Sequence, residues 1–185
     1  MDRFPPQHPV ADPDRLAALD ACGILDTTRE PGFDGVVLLA RMLCAAPVAL
    51  VSFVAEDRQW FKARSGFGPT QTPLSQSVCA YALQQPGLFV IPDLTADMRT
   101  RDNTLVTAKP NLRFYAGAPL RMADGFALGT LCVLDTRPRP DGLSQEQAEG
   151  LQALAAQVVT QLELRRALTA AKAEVSALKA SIAAA

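Results

Sequence analysis

The residues best suited to bind a ligand lie in one alternating segment, residues 113–120. It contains Arg113 and Tyr115, which offer a forked cationic donor and a phenol. Because side chains two residues apart lie on the same face of a strand, the two groups share a face. Together they suit a ligand with a carboxylate or phosphate and an aromatic ring. The alternative is that Arg113 pairs with Asp93 or Asp102 and fixes the connection before the strand.

Cys79 is the second candidate and offers a thiol. The four cysteines are spread through apolar segments without a CxxC pair: Cys22, Cys44, Cys79 and Cys132. This spacing predicts reduced thiols in the core. Cys79 differs because it lies in the first turns of a helix predicted over 75–85 and capped by Ser75 or Ser77, where the helix dipole lowers the pKa of an exposed thiol. A redox or attachment role and a buried hydrophobic role are the two interpretations of Cys79.

Several classes of chemistry lack the residues that they need. The single histidine, His8, lies in a proline-rich N-terminal segment, which leaves no histidine for a general base, a haem ligand or a zinc site. The net charge is −1 and the basic residues form no stripe, so we expect no nucleic-acid partner. No apolar run reaches the length of a membrane span, about eighteen residues. We therefore expect a non-enzymatic, metal-free, cytoplasmic protein without membrane contact.

Hydrophobic periodicity predicts the scaffold that positions these residues. Helices are predicted over residues 12–22 and 31–45, and strands over 48–54, 58–64, 88–91, 113–120 and 126–135. A glycine- and proline-rich loop at 66–73 is expected to break the sheet. The polar connection 93–112 is too long for a passive turn, and we expect it to cover the face that carries the ligand-binding candidates.

The second predicted strand mixes charged and aromatic side chains. Strict alternation places Trp60, Lys62 and Arg64 on one face and Phe61 and Ala63 on the other. Trp60 either lines a pocket or belongs to the core. Lys62 and Arg64 are expected to be solvated charges at the edge of the sheet.

The C-terminal part of the chain is predicted as one long helix, which Ser144 and Gln147 begin with a capping box. A first stripe predicts packing on the domain: Leu151, Leu154, Val158 and Leu162. A second stripe has the alternating steps of a left-handed coiled coil over about three heptads: Leu164, Leu168, Ala171, Val175, Leu178 and Ile182. An isolated helix buries this seam against nothing, so we expect a homodimer.

Several segments match, in order, those of a known family. They are residues 33–34, 48–54, 57–64 (DRQWFKAR), 77–80, 90–93, 102–103, 113–120 (RFYAGAPL) and 128–135 (LGTLCVLD). With them the chain resembles the GAF domain family, and most closely the GAF modules in front of bacterial histidine kinases and diguanylate cyclases. The resemblance implies an α+β fold, with a six-stranded antiparallel sheet, N- and C-terminal helices on one face and a loop-covered pocket on the other. It divides the chain into a flexible tail (1–13), a GAF-like domain (14–163) and a signalling helix (164–185).

Particular GAF activities need particular residues, which can be compared with this sequence. The cyclic-nucleotide signature Asn-Lys-x-Phe-x-x-x-Asp-Glu is absent from this chain. Cys79 is followed by Ala80 and Tyr81 rather than by the histidine of bilin-binding members, and haem-binding members need an axial histidine. Free methionine sulfoxide reductases of this type use several loop cysteines, which the predicted loops lack. We expect no haem, bilin or metal, and an unidentified small ligand held by Trp60, Cys79, Asp93, Arg113, Tyr115 and Thr130.

The resemblance and the heptads together predict a sensory or regulatory module in signal transduction. A small ligand in the pocket would shift the packing of the dimeric C-terminal helix, which passes the change to a downstream kinase or cyclase domain. One alternative is a ligand-free dimerisation scaffold. Another is a redox-responsive thiol protein, and this alternative rests on Cys79.

Overall fold

The computed structural model describes residues 9–183, and its centre is a six-stranded sheet. The strands are β1 (Val48–Val54), β2 (Arg58–Ser65), β3 (Gln71–Pro73), β4 (Phe89–Ile91), β5 (Phe114–Arg121) and β6 (Ala127–Asp135). Their order is β3-β2-β1-β6-β5-β4, and every neighbouring pair is antiparallel. The predicted six-stranded antiparallel α+β fold is confirmed. The prediction of a loop over 66–73 is wrong for its last three residues, which form β3. Pro73 is compatible with this strand because β3 lies at the edge of the sheet.

Three helices cover one face of the sheet: α1 (Pro13–Ala21), α2 (Pro31–Leu43) and α5 (Gln145–Ala183). Their apolar side chains share a helix-side core with the strands, to which Leu19, Phe33 and Leu151 contribute. The opposite face carries the one-turn helices α3 (Cys79–Ala82) and α4 (Thr104–Thr107) and the connection between β4 and β5. Helices on one face and a loop-covered second face are therefore what the structure has.

The described part of the chain begins with a packed turn. Pro9–Ala11 form a 3-10 turn, and Val10 is buried. The Arg15 guanidinium donates to two carbonyl oxygens of this turn and holds it against the domain. The predicted flexible tail, residues 1–13, is therefore wrong for this stretch, while residues 1–8 lie outside those that the structure describes.

A β-bulge in β2 overturns the strict alternation predicted there. The register between β1 and β2 slips between Phe61 and Ala63, so Lys62 is an extra residue in the ladder. Ala63 consequently joins Trp60 in the helix-side core, whereas Phe61 belongs to the core on the other face. Lys62 is not the solvated charge that the sequence predicts, because its side chain is fully buried.

α5 continues past the domain without a break. Ser144 and Gln147 exchange both hydrogen bonds of the predicted capping box at its start. Leu151, Val158 and Leu162 are fully buried in the helix-side core. Beyond them the apolar seam is 51–69% exposed at five positions: Leu164, Leu168, Val175, Leu178 and Ile182. Pairing of this seam with a second copy stays a prediction.

In the stretch from Pro9 to Ala183, no helix combines the length and the apolar character that a bilayer span requires.

Candidate functional site

A small cavity lies between the sheet and the connection that covers it. Its wall comes from three parts of the chain: Leu50, Gln59, Tyr115 and Cys132 from strands, Val78 and Cys79 from the α3 segment, and Leu105 and Leu112 from the connection. The free volume is about 20 Å³, which is enough for about one water molecule. In this conformation the site is a small and largely apolar space with a few polar groups in its wall.

The polar groups form one buried cluster. The sulfur atoms of Cys79 and Cys132 are 3.8 Å apart, and Gln59 Nε2 donates to Cys79 Sγ at 3.3 Å. Tyr115 Oη lies 3.5 Å from Thr130 Oγ1 as a weak donor. The cluster therefore brings two thiols, an amide, a phenol and a hydroxyl to one end of the cavity.

Local sequence explains why these groups meet. Alternation along β5 points Tyr115 away from the helix-side core, which takes Phe114 and Ala116 instead. The phenol then folds back over Gly117, where a Cβ atom would collide with the Tyr115 hydroxyl. A glycine two residues after the tyrosine is thus a steric requirement of this arrangement.

The two thiols of the cluster differ in acidity. Burial opposes ionisation of Cys79, but the polar groups around it, the Cys132 thiol first among them, outweigh burial and lower the pKa of Cys79. The pKa of Cys132 is raised well above its usual value, because its thiol contacts Cys79 and is itself buried. Burial also raises the pKa of Tyr115. If the cluster loses a proton, Cys79 holds the charge.

The origin of this acidity is not the one predicted from the sequence. The segment expected to be one helix over 75–85 is a 3-10 turn, Leu74–Gln76, followed by the single turn of α3. One helical turn supplies little dipole, and Cys79 is buried rather than exposed. The surrounding hydrogen-bond donors, and not a helix end, make its thiol the more acidic one.

Three of the six predicted ligand-binding residues lie together: Cys79, Tyr115 and Thr130. Trp60 lies elsewhere, which corrects its expected place on the pocket. It is 7% exposed in the helix-side core, and its ring stacks on Phe53 with 6.4 Å between ring centroids. Trp60 precedes the bulge in β2, which therefore does not change the face on which it lies. The cavity lies on the other side of the sheet.

Asp93 and Arg113 shape the connection rather than the cavity wall. Asp93 accepts hydrogen bonds from the backbone and hydroxyl of Thr95, and these bonds lower its pKa. Arg113 donates to the carbonyl oxygens of Val106 and Leu112, both at 2.9 Å. Both side chains therefore stabilise the fold of the connection, and neither contributes to the cavity wall.

The connection is closed over the cavity by side-chain hydrogen bonds. Asn103 caps α4 by accepting from Leu105 N, and its amide donates to the Gln76 carbonyl oxygen at 3.0 Å. Gln76 Nε2 in turn donates to Thr104 Oγ1 at 2.8 Å. These bonds join the connection to the segment that leads into α3 and Cys79.

A second polar cluster lies where α5 leaves the domain, and we call Glu30, Lys62 and Arg165 the exit cluster. Lys62 Nζ donates to Glu30 Oε1 at 2.6 Å, and Arg165 Nη1 donates to the same oxygen at 3.0 Å. Burial raises the pKa of Glu30, but the hydrogen bonds and charges of the two cations outweigh it and lower that pKa. The exit cluster joins β2, which also supplies Gln59 and Phe61 to the cavity, to the start of the exposed seam.

Sequence reasoning missed Gln59, Ser52 and Cys132, although the signal for each was present. Alternation from Thr130 along β6 places Cys132 on the same face, and alternation along β1 places Ser52 with Leu50. What the sequence did not contain was the contact of Cys79 with Cys132, which are 53 positions apart. Among residues 9–183 no three His, Cys, Asp or Glu side chains are grouped as a metal site requires.

Comparisons with known proteins agree with the fold. The family model for the GAF domain matches residues 14–162. The cyclic di-GMP phosphodiesterase PA2567 of Pseudomonas aeruginosa is 42% identical over 134 residues, which are 72% of this chain and 23% of that protein. The chain thus spans less than a quarter of the length of this curated relative.

Two solved structures share the fold at low sequence identity. The GAF domain of an Acinetobacter phosphoenolpyruvate-protein phosphotransferase gives a TM-score of 0.60 at 16% identity, covering 83% of this chain and 93% of its own. The free methionine-R-sulfoxide reductase of Neisseria meningitidis, solved with its substrate, gives 0.58 at 16% identity, covering 83% and 91%. Because the family model matches most of the chain and a curated relative is 42% identical, the chain belongs to the GAF domain family, which supplies sensor modules for signalling.

Proposed function

We propose that this GAF domain is a non-catalytic input module that senses a small molecule in the cavity and signals through paired α5 helices. The observation that carries the proposal is an unmatched acceptor, because Gln59 Oε1 is buried and has no hydrogen-bond partner among residues 9–183. An unpaired buried polar group costs about 1–3 kcal/mol, so a ligand that donates to it gains binding energy. The fitting chemistry is a small molecule with one N–H or O–H group beside an apolar body, since Val78, Leu105 and Leu112 line the same cavity.

A ligand larger than a water molecule enters only if the connection moves. The bonds of Asn103 and Gln76 that close it are few, and each contributes about 0.5–1.5 kcal/mol. The closed and open connections are the two states that a ligand would select between.

The exit cluster supports a route from the cavity to α5. Gln59 and Lys62 lie on the same strand, so a ligand that shifts β2 also moves the ammonium of Lys62. Glu30 is shared by Lys62 and Arg165, and a change in one ion pair alters the other. Arg165 directly follows Leu164, the first residue of the exposed seam. The seam is thus tied to the sheet at the point where it begins.

The seam itself favours a parallel pair with a second copy. Its a positions hold Leu168, Val175 and Ile182, and its d positions hold Leu164, Ala171 and Leu178. Two β-branched residues at a and two leucines at d match the preference of parallel dimers. Positions e carry only positive charges: Arg165, Lys172 and Lys179. An antiparallel pair brings these charges together, whereas a parallel pair places Glu174 of one copy near Lys179 of the other.

The output that we propose is control of a linked catalytic domain. The relative with 42% identity is named a cyclic di-GMP phosphodiesterase, and this chain corresponds to 23% of its length. We infer that the matching segment regulates, and does not perform, that hydrolysis. Turnover of cyclic di-GMP is therefore a more specific proposal than the kinase or cyclase output expected from the sequence.

Native mass spectrometry of freshly purified protein tests the ligand and the dimer in one measurement. We expect a dimer that carries an additional discrete mass, and Gln59→Leu should lose that mass because the acceptor is gone. Gln152→Leu, the same substitution at an exposed position of α5, is the control and should retain it. Retention of the mass by Gln59→Leu would show that the cavity is not the binding site.

The small cavity favours one second candidate, a dimerisation scaffold without a ligand. A free volume of about 20 Å³ leaves little for a ligand to fill. A clean dimer with no added mass, and no change in dimer stability with any metabolite fraction, would support the scaffold. Leu168→Glu with Val175→Glu should give a folded monomer under either function, while Ala173→Glu with Ala180→Glu, on the outer face of the helix, should remain dimeric.

A further inference from the structure

Two of the four cysteines are paired in space although far apart in sequence. Cys79 in α3 and Cys132 in β6 have their sulfur atoms 3.8 Å apart, which is close to van der Waals contact. Both side chains are buried, and both line the cavity. Cys22 donates instead to the Ala18 carbonyl oxygen within its own helix. The fold thus selects one pair of thiols for each other.

We propose that Cys79 and Cys132 form a reversible intramolecular disulfide when the protein meets a small hydroperoxide. A disulfide requires the sulfur atoms to approach to about 2.05 Å, which is a further movement of less than about 2 Å. The cavity beside them has room for a molecule close to the size of water, so hydrogen peroxide is the oxidant class that fits. This inference stands apart from the proposed ligand and does not depend on it.

The cluster assigns different roles to the two thiols. The Cys79 thiolate is favoured by its surrounding donors and attacks one oxygen of the peroxide. The O–O bond breaks, the leaving hydroxide takes a proton to become water, and Cys79 becomes a sulfenic acid. Cys132 then attacks the Cys79 sulfur and displaces the hydroxyl group as a second water. Two thiols lose two electrons, and one molecule of hydrogen peroxide is reduced to two molecules of water.

The disulfide would act on the connection that covers the cavity. Closing the sulfur–sulfur distance draws α3 toward β6 in the centre of the sheet. The segment before α3 holds the connection through the hydrogen bonds of Gln76 with Asn103 and Thr104. Oxidation would therefore change the closure of the connection, and reduction of the disulfide would restore it.

Peptide mapping under non-reducing conditions after peroxide treatment of the folded protein tests the proposal. We expect a Cys79–Cys132 linked peptide, a loss of two hydrogen atoms in the intact mass, and a fall from four titratable thiols to two. Reduction with dithiothreitol should restore all four. The same oxidation in urea should give mixed pairings, since the pairing preference comes from the fold.

Variants separate the roles of the two thiols. Cys132→Ala should leave a Cys79 sulfenic acid that a dimedone probe traps, and Cys79→Ala should form no internal disulfide. Cys44→Ala, another buried cysteine, is the control and should still form the Cys79–Cys132 bond. The wild-type map is decisive even if a variant fails to fold. Oxidised folded protein that lacks the Cys79–Cys132 peptide would overturn the proposal.

Discussion

The two faces of the sheet are built from alternate residues of the same strands, yet they differ in how completely they are packed. The helix-side core consists of apolar side chains that three helices cover. The cavity side combines a space of about 20 Å³ with two buried polar atoms, Ser52 Oγ and Gln59 Oε1, that have no hydrogen-bond partner among the described residues. Close packing stabilises the domain, whereas unmatched polar groups beside free space leave a place for a ligand.

Truncation of one leucine on each face should give the largest difference. Leu151 is fully buried on the helix side, and Leu151→Ala should lower the free energy of unfolding by about 3–4 kcal/mol, because a fixed cavity remains. Leu105 is half-buried in the connection, so Leu105→Ala should cost only about 1–2 kcal/mol. Urea denaturation measures both. Equal losses would mean that the two faces contribute alike to stability.

Lys62 is an exception to the apolar character of the helix side, because it is a buried charge on that face. Lys62→Met removes the ammonium that binds Glu30 and two oxygen atoms of Thr27 and Thr28. We expect a loss of about 1–3 kcal/mol, which the partial exposure of Glu30 keeps below the cost of a fully buried pair.

Arg64→Met is the matched control for Lys62→Met on the same strand. Arg64 is half-exposed and donates to the Gly68 carbonyl oxygen, so its removal should cost less than about 0.5 kcal/mol. Both values come from the same urea titration. A loss for Arg64→Met as large as that for Lys62→Met would show that the exit cluster has no special role.

The sequence predicts the helix side of this domain better than the cavity side, for a physical reason. Leu151, Val158 and Phe114 follow simple periods of apolar residues, and the structure buries all three. The alternation along β5 likewise placed Tyr115 correctly, because nothing interrupts that strand before Pro119. Where the strand pairing is regular, the apolar periodicity of the sequence correctly predicts which side chains are buried.

The sequence predictions are wrong or incomplete where a contact between residues far apart in the chain determines the position of a side chain. One extra residue in β2 moved Ala63 to the helix side, and Lys62 is buried because Glu30, far away in the chain, supplies a counter-charge. The meeting of Cys79 with Cys132 likewise depends on how α3 sits on β6. Composition and period carry no information on such pairs, so the site could be predicted only in part.

Glu30 gives the exit cluster a dependence on pH. Its cations hold the pKa below the ordinary value of a glutamate, about 4.3. The stabilisation is therefore fully present above about pH 4.3 and is lost as the pH falls through the lower, folded value. We call the loss of stability at low pH the acid limb of the stability curve. Glu30→Gln should reduce this loss by less than about 1 kcal/mol, because the side chain is 37% exposed.

Denaturation of wild type and Glu30→Gln between pH 3 and pH 7 measures this difference, with roughly unit steps. Asp34→Asn is the control, since the Asp34 carboxylate pairs with the exposed Arg29 side chain at 3.0 Å. Its curve should keep the acid limb of the wild type. An unchanged limb in Glu30→Gln would mean that Glu30 loses nothing when it takes up a proton.

The smallest effect on stability should come from the cavity cluster, where the comparison of the two faces is sharpest. Tyr115→Phe removes a hydroxyl whose bond to Thr130 is 3.5 Å long, so we expect a loss of less than about 0.5 kcal/mol. Tyr81→Phe, which removes a hydroxyl that donates to the Arg99 carbonyl oxygen, is the control of the same chemistry outside the cluster.

The same variant should still change the thiols. Loss of the Tyr115 hydroxyl removes one of the polar groups that favour the Cys79 thiolate, so the pKa of Cys79 should rise. Peroxide should then consume the cysteine pair several-fold more slowly than in wild type or in Tyr81→Phe, as measured by thiol titration over time. A large loss of stability with an unchanged oxidation rate would instead assign the Tyr115 hydroxyl to packing. The cavity side would then serve the fold in the same way as the helix side.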